Sequence, residues 1–202
     1  TWEKLKKYLI ENENANTGSK DFGKDIIPAM LNNGERLFAY EFEGYWRDVG
    51  TLDSLWEANM DLLSPSVPLD LYDPKWKIYS RHENMPPQYI GSNAHVENSM
   101  ITEGSIVDGT VDFSVISAGV TIEEGATVKY SIIMPGTVIK SGAVVEYAII
   151  GEDSVVESGA KIGMSPECVE NRDDWGIAVV GHNITVSGKK PVLPKEIISE
   201  NI

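Results

Sequence analysis

Cysteine is all but missing from this chain: Cys168 is the single one among 202 residues. That excludes an internal disulfide framework and a multi-cysteine zinc site, and it makes a reducing, cytoplasmic setting the economical expectation. Positive charge is scarce as well. Seventeen Lys and Arg stand against 31 Asp and Glu, a formal net charge of −14 with no basic cluster to offset it. Nucleic acid and anionic membrane surfaces are therefore poor partners. No apolar run approaches the roughly 20 residues needed to span a bilayer. The opening Thr1-Trp2-Glu3-Lys4 has no charged-then-apolar export signal. It also lacks an initiating Met, as a piece cut from a longer protein would. Asn183-Ile184-Thr185 fits a glycosylation acceptor, but without a secretory context it is a chance match.

What is present suits a globular protein, with 42% hydrophobic and 24% charged residues. The first part reads as mixed α/β. Trp2, Leu5, Leu9 and Ile10 recur at helical spacing, which predicts an amphipathic helix. The polar run 12–20 predicts a loop. Asp25 can cap a second helix in which Pro28 falls in the first turn and Asn32-Asn33-Gly34 stops it. Leu37 to Phe42 alternates as a strand does. Gly44-Tyr-Trp-Arg-Asp-Val-Gly50 reads as a loop, after which Thr51 or Asp53 caps a helix reaching about Leu63. Pro65, Pro68, Pro74, Pro86 and Pro87 then mark an extended linker, because proline lacks a backbone donor and fixes φ.

The second part is a repeat. Aliphatic residues recur at Val96, Ile101, Ile106, Val111, Ile116, Ile122, Val128, Ile133, Ile139, Val145, Ile150, Val156 and Ile162. Steps of five and six fit neither the three-and-four spacing of a helix nor the longer period of a hairpin series. From Val111 onward three steps make a unit of 17 residues, with Gly119, Gly125, Gly136, Gly142 and Gly159 recurring inside and Ser99, Ser114, Ser131 and Ala148 at matching places. Short strands joined by tight bends, one aliphatic side chain per side pointing inward, would stack as a triangular prism. A two-sheet sandwich is the rival arrangement. After Gly163 the cadence breaks: Met164 to Trp175 reads as an excursion, and 177–180 with 183–186 as a last coil or cap.

Hexapeptide solenoids serve several chemistries, so the blocks ahead of the repeat have to discriminate. Asp21-Phe-Gly-Lys-Asp-Ile-Ile-Pro28, Phe42-Glu-Gly-Tyr-Trp-Arg-Asp-Val-Gly-Thr51, Trp56-Glu-Ala-Asn-Met-Asp-Leu-Leu63, Tyr72-Asp-Pro-Lys-Trp-Lys-Ile78 and Pro86-Pro-Gln-Tyr-Ile90 follow one another in the chain. In this order they resemble the C-terminal part of ADP-glucose pyrophosphorylases (glucose-1-phosphate adenylyltransferases). The resemblance implies the α/β end of a nucleotidyltransferase domain over 1–63, a linker over 64–89, and a left-handed parallel β-helix of hexapeptide repeats with a terminal cap over 90–202. It further implies synthesis of ADP-glucose and pyrophosphate from ATP and glucose 1-phosphate, for glycogen or another α-glucan. Carried over by motif, Asp48 matches a Mg²⁺-binding catalytic aspartate, and Asp21, Phe22 and Trp46 match residues of the glucose 1-phosphate pocket. The bland alternatives are that Asp48 pairs with Arg47 or braces the turn before Gly50, that Asp21 caps a helix, and that Trp46 and Phe22 are core aromatics.

The family's glycine-rich ATP segment, its other catalytic aspartate and its sugar-phosphate lysine have no counterpart here, so the chain alone is expected to be inactive. Lys20 stands where the family leads one to expect His or Asn, which leaves room for a regulatory paralogue. The resemblance also implies an allosteric homo-oligomer, a tetramer, joined through the β-helix. A UTP- or GTP-dependent sugar nucleotidyltransferase remains an alternative, because base choice lies in the part not represented. A hexapeptide acyltransferase would set a histidine between coils, whereas His82, His95 and His182 all fall outside the regular stretch Val96 to Ile162. Asp21-Phe-Gly echoes a kinase tripeptide, but no other kinase block accompanies it.

Overall fold

The computed structural model describes residues 1–15, 20–66, 69–79 and 84–202. Part of the expected 12–20 loop, Pro68 and His82 lie outside them. The chain divides into two compact units, Thr1–Gly44 and Tyr45–Ile202.

In the first unit, helix α1 runs over Trp2–Asn14. It is longer than expected, taking in Asn12 to Asn14, and closes when the Ala15 N–H reaches the Glu11 and Asn12 carbonyls. The face it buries is also not the expected one. Tyr8 is its buried residue, Leu5 is half-buried, and Trp2, Leu9 and Ile10 are exposed. Tyr8 lies on the Glu35 side, where Lys4 pairs with Glu35 and the Tyr8 hydroxyl sits 3.5 Å from the same carboxylate. A wide π-helical turn, Phe22–Ile26, leads into α2, Ile27–Asn32. Asp21, rather than Asp25, caps this segment. Pro28 falls in the first turn of α2, and Gly34 supplies the left-handed residue (φ +73°) that ends it. The strand expected over Leu37 to Phe42 is absent. A lone extended segment needs a neighbouring edge for its backbone groups, and the described residues offer none there. Phe38 and Tyr40 are accordingly 88% exposed.

The second unit holds α3, Leu52–Asp61, and a parallel β-helix. The first sheet stacks Tyr89–Ile90, Ile106–Val107, Thr121–Ile122, Val138–Ile139, Val155–Val156 and Thr185–Val186. The second stacks His95–Glu97, Thr110–Asp112, Thr127–Lys129, Val144–Glu146 and Lys161–Ile162. The third stacks Met100–Ile101, Val115–Ile116, Ile132–Ile133, Ala148–Ile150, Ala178–Val180 and Ile197–Ile198. All pairings are parallel. Sequential strands belong to different sheets, which is the prism rather than the sandwich.

The inward positions form three ladders. Val111, Val128, Val145 and Ile162 line one; Ile116, Ile133 and Ile150 the next; Ile122, Ile139 and Val156 the third; all are fully buried. Val96, in register with Val111 on the terminal strand of its sheet, is 37% exposed, and one further inward assignment is out of register. Val107, not Ile106, registers with Ile122, and Val107 is fully buried whereas Ile106 is 44% exposed. The corner after Val107 is shorter than its counterpart after Ile122, so an even count from Ile101 lands one residue early. Gly109 makes that short corner possible. A Cβ there would stand 2.5 Å from the Ala126 carbonyl oxygen and 2.7 Å from that of Glu123.

The small residues form a hydrogen-bonded ladder. Ser114 Oγ donates to the Asp112 carbonyl at 2.8 Å and accepts from Ser131 N–H at 3.1 Å. Ser131 Oγ repeats this with Lys129 at 2.7 Å and Ala148 at 3.1 Å. Both serines are buried, and each hydroxyl gives an acceptor to the N–H of the next coil at a corner, while the Asp112 and Lys129 carbonyls also accept from the Tyr130 and Tyr147 N–H. At the adjoining corner position Asn98, Phe113, Tyr130 and Tyr147 adopt φ between 41° and 51°. That is costly for a bulky side chain, and here it comes with ring stacking: Phe113–Tyr130 centroids are 5.1 Å apart, and Tyr130–Tyr147 4.7 Å and near parallel.

The excursion contains two short 3-10 turns, Pro166–Cys168 and Arg172–Asp174. Coiling then resumes with Ala178–Val180 on Ala148–Ile150, so 177–180 is a true coil strand. The outer face of the third sheet is apolar, and Ile132, Ile149 and Val179 pack there with Met60 and Leu63 from α3 and the residues after it. No helix among the described residues is long and apolar enough to cross a membrane.

Candidate functional site

The candidate residues fall in both units. Asp21 and Phe22 stand together in the first, Trp46 and Asp48 in the second.

Asp21 precedes the Phe22–Ile26 turn with extended backbone, the conformation of an N-cap. Its Oδ1 accepts from the Lys24 N–H at 2.7 Å, and its own N–H donates to Asp25 Oδ2 at 2.9 Å. The bland expectation for Asp21, a cap, thus holds for one carboxylate oxygen; the other has no partner among the described residues. Phe22 is 51% exposed and is no core aromatic. Lys20, the departure from the family pattern, pairs with Glu13 at 2.6 Å.

Asp48 braces its own turn, with Oδ1 accepting from the Gly50 N–H at 3.1 Å. It does not pair with Arg47. Trp46 is 72% exposed, again no core aromatic. Immediately after this turn Thr51 and Ser54 form a reciprocal capping box: Thr51 Oγ1 accepts from Ser54 N–H at 3.2 Å and Ser54 Oγ from Thr51 N–H at 3.1 Å. The loop carrying Asp48 therefore ends on a fixed helix start.

Sequence reasoning missed the partner of Arg47. Its guanidinium grips Asp61 with Nε at 2.7 Å from Oδ2 and Nη2 at 3.2 Å from Oδ1, and Nη1 reaches Glu57 Oε2 at 3.3 Å. The Tyr45 hydroxyl donates to Asp61 Oδ2 at 3.0 Å. Hydrogen bonding from Arg47 holds the Asp61 carboxyl below the ordinary carboxylate range despite some desolvation. The Asp61 hydrogen bond raises Arg47 in turn. Tyr45 is pushed up, first by desolvation and then by Asp61. The available signal was the i, i+4 spacing of Glu57 and Asp61, which puts two carboxylates on one face of α3.

Also unforeseen was how α3 is secured. Trp56 Nε1 donates to the Tyr130 carbonyl at 2.8 Å, and its ring lies against Tyr147 and Trp175 with centroids 5.9 and 6.5 Å away. Trp175, from the excursion, donates to the Met164 carbonyl at 2.9 Å. Among the described residues no three His, Cys, Asp or Glu side chains gather as a metal cage. A lone carboxylate with an outward oxygen suits instead a hard cation that keeps most of its waters and is shared with phosphate.

Comparison with known proteins agrees with both halves. A family model described as "Nucleotidyl transferase" matches residues 3–65, and "GlmU-like, C-terminal hexapeptide" matches 86–186. A protein named glucose-1-phosphate adenylyltransferase from Clostridium beijerinckii is 55% identical over 121 residues, covering 60% of this chain and 31% of its own. One of the same name from Clostridium botulinum is 56% identical over 121 residues, with the same coverage, 60% and 31%. The chain thus spans about a third of the length of these curated relatives. Among solved structures, the acetyltransferase domain of PglB from Neisseria gonorrhoeae FA1090 superposes with a TM-score of 0.43 at 24% identity, over 55% of this chain and 53% of that one. With the hexapeptide model matching half of its length behind a nucleotidyl transferase segment, the chain belongs to the GlmU-like hexapeptide family.

Proposed function

We propose that this chain is the C-terminal part of a glucose-1-phosphate adenylyltransferase, which joins ATP and glucose 1-phosphate into ADP-glucose and releases pyrophosphate for glycogen or α-glucan synthesis. The observation that carries the reading is the 55% identity to proteins of that name. The exposed Trp46–Asp48 turn set ahead of a hexapeptide solenoid supports it. On this reading the chain contributes the end of the catalytic domain over 1–63, a linker over 64–89, and the oligomerising, regulatory β-helix over 90–202. The whole protein works in the cytoplasm as a homo-oligomer, a tetramer, open to a regulatory paralogue subunit.

In the reaction a phosphate oxygen of glucose 1-phosphate attacks the α-phosphorus of ATP, and the bond to the pyrophosphate leaving group breaks. Such chemistry relies on positioning and charge neutralisation more than on covalent help. Asp48, its Oδ1 committed to the Gly50 N–H, would hold Mg²⁺ through the other oxygen. The cation, when bound, neutralises charge on the transferring phosphoryl group. Trp46 offers an uncovered indole on which a pyranose ring can pack. Asp21 has one carboxylate oxygen left to accept from sugar hydroxyls, and Phe22 supplies an apolar wall.

The test is a pyrophosphate-release assay on the full-length protein and on this chain alone. Turnover is expected only from the former, and Asp48→Asn should lower kcat by roughly 10²-fold or more, in the range seen when one transition-state charge partner is removed. Turnover by the 202-residue chain, or an Asp48→Asn enzyme with full activity, refutes the proposal.

A further inference from the structure

The turn bearing Trp46 and Asp48 is tied to the β-helix by a chain of contacts that runs through a residue with no assigned part in the reaction. Asp61, in the last turn of α3, takes Arg47 in two hydrogen bonds of 2.7 and 3.2 Å and Tyr45 in a third of 3.0 Å. The two residues it binds alternate in sequence with Trp46 and Asp48, so both intervals of that short segment are gripped. At the other end the Asp48–Gly50 contact and the Thr51–Ser54 box join the segment to the start of α3. The loop is therefore pinned to both ends of one helix.

That helix does not float. Met60 and Leu63 are buried on the outer face of the third sheet, and Trp56 is hydrogen-bonded to the Tyr130 carbonyl at a coil corner. An exposed ion pair contributes little to stability. A two-pronged arginine–carboxylate contact reinforced by a phenol instead restricts geometry.

We infer that Asp61 is a positioning residue: acting through Arg47 and Tyr45, it sets where the Asp48 carboxylate and the Trp46 indole stand relative to the β-helix. The inference deepens the proposed function and rests on its reading of Asp48 and Trp46.

The experiment has two readouts. On this chain, without metal or substrate, hydrogen exchange is followed for wild type, Asp61→Asn and Asp61→Glu. Asp61→Asn should speed exchange of the Gly50 amide, which donates to the Asp48 carboxylate, by about tenfold, a local opening, and leave amides of the Ile132–Ile133 and Ala148–Ile150 strands unchanged. In the full-length enzyme, Asp61→Asn should raise the Mg²⁺ concentration for half-maximal rate and lower kcat by about tenfold, as slight misplacement does, with an unshifted thermal midpoint. Asp61→Glu, which keeps the carboxylate, should restore most of both.

Unchanged exchange in the loop, a general loosening of the β-helix, or faster exchange with no change in Mg²⁺ requirement each overturns the positioning role. If Asp48→Asn itself leaves the Mg²⁺ requirement untouched, the underlying reading falls and the inference with it. The exchange data, taken without metal, separate that failure from the others.

Discussion

Neighbouring residues on one strand should differ sharply in what they contribute. Val107 is fully buried in the prism and registers with Ile122; Ile106, one residue earlier, is 44% exposed and registers with Thr121. Truncating Val107 to Ala removes two buried carbons, about 1.6 kcal/mol of transfer free energy at about 0.8 per carbon. A close-packed solenoid interior recovers little of the void, so the cavity raises the cost to roughly 2–3 kcal/mol. Ile106→Ala removes three carbons, yet from an outward side chain, and should cost less than about 1 kcal/mol. The larger truncation should therefore be the milder one. Urea unfolding followed by far-UV circular dichroism measures both, provided the m-value is unchanged. If Ile106→Ala destabilises as much as Val107→Ala, or more, the register and the burial argument built on it are wrong.

Ser131→Ala should destabilise the β-helix by about 1–2 kcal/mol in the same melts, because the buried Ala148 N–H loses its acceptor, while the Lys129 carbonyl keeps the Tyr147 N–H; a neutral result would mean water replaces the hydroxyl. The Asp61 carboxyl should titrate below the ordinary Asp value near 4. A depressed folded-state value means the Arg47 contact stabilises fully above the unfolded value and is lost as pH falls through the folded one. A carboxyl-resolved NMR titration with Asp61 at or above the ordinary value would contradict this.

The solenoid was legible because its core is local and periodic. Each coil places an aliphatic residue at nearly fixed intervals, so Val111 through Ile162 could be read inward from spacing, and every one is buried. The reading failed where a corner contracts: Gly109 lets the backbone approach Ala126 and Glu123 too closely for any side chain, and the aliphatic pair Ile106-Val107 gave no sign of which member turns in. Ser114 and Ser131 were recognisable as a recurring position, but their task, closing backbone groups between coils, appears only once coils are stacked.

The candidate site was legible as motif and not as geometry. Trp46, Asp48, Asp21 and Phe22 were singled out by the resemblance of the blocks they sit in, and local chemistry narrowed the cap of α3 to Thr51 or Asp53, of which the structure uses Thr51. Adjacency in the chain suggested Arg47 for Asp48. The structure instead sends Arg47 fourteen residues on, to Asp61, where two α3 carboxylates one helical turn apart present a better-shaped partner.

By itself the sequence determined the coil cadence and a helix start at Thr51 or Asp53, because these rest on spacing and on side chains reaching their own neighbours. Only the tertiary structure decided which carboxylate holds Arg47, that Val107 rather than Ile106 enters the core, that Leu37 to Phe42 stays without a ladder, and that Trp56 and Met60 dock α3 on the third sheet. Those outcomes depend on surfaces brought together from distant parts of the chain, and a one-dimensional pattern carries no record of which surface will be there to meet them.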